Sequence, residues 1–170
     1  SLQKEVGTGN PTITYEIGGA TNYRPVVIAF NGVTVAGNLT ASVSQSAGAH
    51  PNLATSAINN TLRLDRYYTL TNASTSFTSY DVTFNFVAGD VINGADPNNF
   101  IAGKWDGSAW TYPTVGTKTS TSTQITGVTS FSDFAFGELN STPTLTATGL
   151  TGFGSVCLNN TAGPNTFTIT

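Results

Sequence analysis

Between Tyr80 and Phe86 the chain reads YDVTFNF, with Tyr80, Val82, Phe84 and Phe86 on one side and Asp81, Thr83 and Asn85 on the other. Successive side chains of an extended strand leave on opposite faces, so this strict two-residue period fits a half-buried strand and no helix. The same period places Leu39, Ala41 and Val43 on one face of GNLTASVSQ, and Ser132, Phe134 and Phe136 on one face of the run before Glu138. In LRLDRYYTLTN it sets Leu62, Leu64, Arg66, Tyr68 and Leu70 against Arg63, Asp65, Tyr67 and Thr69. This segment and the one around Phe84 read as central strands.

Composition agrees. Charged residues are 9% of the chain, against about 25% in ordinary domains. Thr and Ser carry much of the exposed surface instead, and β-branched Thr suits a pleated sheet. About eight to ten short strands separated by turn signals predict an all-β fold, an antiparallel two-sheet sandwich of Ig-like or jelly-roll-like type. A chain this long buries enough surface to need no metal or disulfide, and Cys157 has no second cysteine to pair with.

Two turns are predicted inside that frame. Asn31-Gly32 reads as a two-residue hairpin turn, which pairs Phe30 with Val33 and puts Val26, Ile28, Phe30, Val33 and Val35 on one core face. Asp106-Gly107 reads as a second hairpin, and a loop of either two or four residues leaves Trp105 and Trp110 on a shared face. The aperiodic stretch SAGAHPNLATSAINN is a long connection, with one helical turn expected around Ala54 to Ile58.

The net charge of -3 and six scattered basic residues argue against nucleic acid, whose phosphates require clustered Lys and Arg. No apolar run approaches the roughly eighteen residues of a membrane-spanning helix, so membrane insertion is not expected. The first residues show no leader, and the chain is expected to be a fragment at both ends. Residues 1–138 form the sandwich module in this reading, 139–143 a polar linker, and 144–170 the first strands of an incomplete second module.

The closing run GVTSFSDFAFGE resembles the ends of β-sandwich modules in large secreted, adhesin-like cell-surface proteins of Bacteroidetes-type bacteria. RYYTLTN and KWDGSAWT look like parts of the same module type, and the likeness covers about residues 10 to 138. The tail from Pro143 to Thr170 resembles the opening strands of an Ig-like module. The resemblance implies export, an extracellular place at the cell surface, and partners that are neighbouring modules or copies of the chain.

Candidate sites are few. His50, the sole histidine, sits in GAHPN among turn residues with no local nucleophile, and reads as a loop residue. Asp65, Asp81 and Asp133 would serve acid–base chemistry only if the fold made two of them converge. Asp90, Asn93, Asp96, Asn98 and Asn99 supply hard oxygens for a possible Ca2+, although turn formation explains the same residues. Trp105, Trp110 and Tyr112, with Tyr67, could stack on sugars of surface glycans or pack into the fold. Alternation turns Arg66 inward, where it needs Asp81 or Asp133 as partner unless a bulge releases it. The resulting expectation is a non-catalytic structural or adhesive module, not an enzyme. One alternative is a fibre subunit whose last strands complete a neighbouring chain, and another is a carbohydrate-binding module.

Overall fold

The computed structural model describes residues 1–19 and 22–140. Of the expected linker 139–143, Leu139 belongs to the last strand and Asn140 N–H donates to Ala57 O, while residues 141–143 and the expected second module lie outside the described residues. Eleven strands follow in order: β1 (Leu2–Val6), β2 (Thr12–Tyr15), β3 (Val26–Asn31), β4 (Gly37–Val43), β5 (Ile58–Ala73) and β6 (Ser79–Asn85), then β7 (Phe100–Trp105), β8 (Trp110–Thr111), β9 (Thr114–Thr119), β10 (Ser122–Val128) and β11 (Asp133–Leu139). All pairings are antiparallel. One sheet has six strands in the order β1-β4-β5-β11-β7-β8, and the other has five in the order β2-β3-β6-β10-β9. The fold is the expected β-sandwich, with β5 and β6 internal to their sheets.

Alternation builds the core. Val82 and Phe84 of β6, Ile28 of β3 and Ile125 of β10 meet Leu39, Leu64, Tyr68, Phe134 and Phe136 of the facing sheet. Phe84 ties the layers together, its ring lying 5.0 Å from Tyr68, 5.1 Å from Phe134 and 5.0 Å from Phe136. Edge and tilted ring contacts of this kind add to the burial of large apolar area.

The Asn31-Gly32 hairpin does not form. Val26, Ile28 and Phe30 are buried as expected, but β3 pairs with β2 and β6, and the chain then crosses to the other sheet. Val33 exchanges hydrogen bonds with Gly9, and Val35 bridges to Ser76 and is half exposed. Gly32 alone takes the positive φ, at 68°, which turns a sheet-to-sheet crossing. Asn93-Gly94 is where both residues adopt positive φ, 55° and 77°, inside a turn closed from Ala95 N to Ile92 O at 3.1 Å.

The long connection carries a short 3-10 turn at Leu53–Thr55. The predicted helical turn is thus shifted and shortened, because Ile58 already opens β5. The second hairpin forms with the four-residue loop: Trp105 stands opposite Trp110, and Asp106 N–H donates to Ala109 O at 3.2 Å. Among the described residues no helix is long and apolar enough to cross a membrane.

Candidate functional site

One row of side chains runs across the outer face of the six-stranded sheet. Ser42 of β4 pairs with Thr69 of β5, Thr69 with Asp133 of β11, Asp133 with Trp105 of β7, and Trp105 with Trp110 of β8. Residues opposite one another in antiparallel strands share a face, so five strands contribute to one surface. In the neighbouring row Ala135 stands opposite Gly103. A Cβ on Gly103 would come within 2.9 Å of both Ile58 Cδ1 and the Trp110 ring. The missing side chain therefore makes a shallow seat for the Trp110 indole.

The connection between β4 and β5 covers part of this face. Leu53 packs with Ile58 and Ala135, against Ala49, Tyr67, Ile101 and Trp110. His50 lies almost fully buried within it, 5.1 Å from the Tyr67 ring, 6.0 Å from Trp105 and 5.0 Å from Trp110. Its Nδ1 accepts the Asn52 N–H at 3.2 Å, and its Nε2 lies 3.2 Å from Asp133 Oδ2. With Nδ1 accepting, the neutral ring carries its proton on Nε2 and donates it to Asp133. Thr69 Oγ1 donates to the other carboxylate oxygen at 2.6 Å. Sequence reasoning missed this cluster, since His50 and Asp133 are 83 residues apart.

The arrangement differs from a hydrolytic triad. There the nucleophile must lie on the imidazole nitrogen opposite the carboxylate, and here a backbone N–H occupies that nitrogen. Thr69 binds the carboxylate instead. Asp65, Asp81 and Asp133 do not converge: Asp65 pairs with Arg63 on β5, while Asp81, on the opposite sheet, accepts Gly127 N–H at 2.8 Å.

The three aromatic candidates divide. Trp110 Nε1 donates to Asn52 O at 3.0 Å, and Tyr112 Oη accepts Ala57 N–H at 2.6 Å, so both fasten the covering connection. Trp105 is partly exposed and lines a cleft of 760 Å³ with Asp106, Asp133, Phe77 and the hydroxyls of Thr69 and Thr71. Asp106 is fixed from within its turn. Its Oδ1 accepts Ser108 N–H, Ser108 Oγ–H and Ala109 N–H at 2.8 to 2.9 Å. The Ala109 N–H foremost, then the Ser108 donors, hold the carboxyl below the usual range, so it stays ionised at neutral pH.

Of the oxygens proposed for calcium, those of Asp90 and Asp96 are engaged within the fold. Asp90 faces inward and forks onto Arg24, with Oδ2 2.6 Å from Nε and Oδ1 2.7 Å from a terminal nitrogen, and Arg66 Nε adds a contact at 3.3 Å. Burial by itself pushes this carboxyl up, but Arg24, the Val87 N–H and Arg66 together bring it below its ordinary value. Asp96 caps the Asn98 N–H at 2.9 Å, and Asn93 donates to Thr61 O at 2.9 Å. Asn99 N–H donates to Asp96 O in the same turn. These residues build turns and an ion pair, and among the described residues no three acidic, His or Cys side chains group as a metal site. Arg66 does point inward as alternation requires, but its carboxylate partner is Asp90, neither Asp81 nor Asp133, and one terminal nitrogen donates to Ser44 O and Gln45 O. Comparison with protein-family models, curated proteins and solved structures finds no match to this chain.

Proposed function

We propose that this chain is a non-catalytic structural or adhesive module of a large exported bacterial surface protein, placed outside the cell among neighbouring modules or copies of itself. The observation that carries the reading is the commitment of its histidine and of its innermost carboxylate to building the fold. The histidine has both ring nitrogens engaged by Asn52 and Asp133, and the innermost carboxylate is forked onto Arg24. A sandwich stabilised by apolar layers, with few charges on its surface, keeps its shape across a range of salt. That property suits a spacer or adhesive unit.

The test uses the full chain against chromogenic glycosides, esters and peptides, with thermal unfolding and protease challenge in parallel. The expected result is cooperative unfolding, slow proteolysis and no turnover. Turnover that disappears in Asp133→Asn or His50→Ala would overturn the proposal.

A further inference from the structure

We propose that the 760 Å³ cleft beside Trp105 binds a neutral oligosaccharide, with the indole as stacking platform and the Asp106 and Asp133 carboxylates receiving sugar hydroxyls. This deepens the adhesive reading above and rests on it. The ligand class follows from the chemistry of the lining. A pyranose presents an apolar C–H face and a rim of hydroxyls, so it needs an aromatic surface flanked by fixed polar groups.

Trp105 meets the first need. Its ring lies 5.4 Å from Trp110 and 6.0 Å from His50, and the residue is partly exposed and lines the cleft. Little side-chain freedom is left to lose on binding, and such preorganisation favours affinity.

The carboxylates meet the second. Asp133 is oriented by the Thr69 hydroxyl and the neutral His50 ring, and Asp106 by the donors of Ser108 and Ala109. These hydrogen bonds leave each carboxylate lone pairs for further donors. Charge-assisted hydrogen bonds from sugar O–H groups are the strong kind. Two carboxylates in the hollow beside Trp105 disfavour uronic or sialic acids there, which makes the sugar stacked on Trp105 a neutral one.

A neighbour adjoins the cleft. A second hollow of 440 Å³, lined by Lys104, Tyr112 and Pro113, shares Asp106, Thr129 and Ser130 with the first. Both volumes lie within the usual range for small-ligand sites, and their adjacency places a second hollow within reach of a ligand of more than one sugar residue.

The test is a glycan array probed with the full chain, followed by calorimetric titration of the strongest neutral ligand. Trp105→Ala and Asp106→Asn are each expected to weaken binding about ten-fold or more, the loss of one stacking or charge-assisted contact. Circular dichroism reports whether each variant is folded. Should Trp105→Ala unfold, Asp106→Asn, on an exposed turn, carries the test. An array without neutral ligands, a preference for anionic glycans or peptides, or binding unchanged in the folded variants would overturn the assignment. Those failures leave the non-catalytic module reading standing. Release of reducing sugar from the bound glycan would instead end that reading while supporting the cleft.

Discussion

Asp90 and Asp133 place a carboxylate in two unlike regions of the same sandwich. Asp90 is 4% exposed and meets two guanidiniums, whereas the Asp133 side chain is 30% exposed and meets a hydroxyl and an imidazole. The first is a closed charge cluster that fastens the turn after β6 to β5 and to the segment before β3. The second is a charge fixed in direction but not neutralised. Buried charges persist only when paired and hydrogen-bonded, so the inner cluster has no capacity left for a ligand. The outer one has.

The largest effect should come from breaking the closed cluster. Asp90→Asn leaves Arg24 and Arg66 without their counter-ion and is expected to cost about 3–5 kcal/mol in urea unfolding. A loss below that of a surface substitution would show that the two regions do not differ as described.

Acid should act through the same carboxyl. An unfolded Asp titrates near pH 4, roughly, and the folded Asp90 carboxyl lies lower. Its stabilisation is therefore complete above the unfolded value and is lost as pH falls through the folded one. Stability measured below about pH 4 should decline more steeply in the parent chain than in Asp90→Asn, and equal slopes would count against this ion pair as the source.

His50→Phe sharpens the other side of the comparison. It keeps a ring among Tyr67, Trp105 and Trp110 but removes the bonds to Asp133 and Asn52, with an expected loss of about 1–2 kcal/mol. Limited proteolysis should then cut first between Ser44 and Ala57, and a loss as large as that of Asp90→Asn would erase the contrast.

The smallest effect belongs to a buried hydroxyl of the five-stranded sheet. Thr123 is fully buried, and its hydroxyl has no partner among the described residues. Thr123→Val should raise stability by about 1 kcal/mol by removing an unsatisfied group, readable as a higher melting temperature.

The layers were legible because their signal is periodic and local. Tyr80, Val82 and Phe84, or Phe134 and Phe136, declare their faces through neighbours two residues away, and all are buried. Asn31-Gly32 misled for a related reason: a local turn signal cannot say whether the following strand returns to the same sheet, and the pairing of Val33 with Gly9 decided otherwise. The site was less legible still. Arg24 and Asp90 are 66 residues apart, His50 and Asp133 83, and the connection bearing His50 has no period from which its covering role could be read. Trp105 and Trp110 share one face, as the sequence predicts, but only their row with Asp133 and Thr69, opposite in direction to the core residues Phe134 and Phe136, shows that the face is the outer one.

The chain contains two tryptophans, and they are neighbours with ring centroids 5.4 Å apart. Its indole emission therefore originates from a single patch at the rim of one sheet, leaving the interior spectroscopically silent at those wavelengths. Events at the cleft or beneath the covering connection would register optically without any attached label.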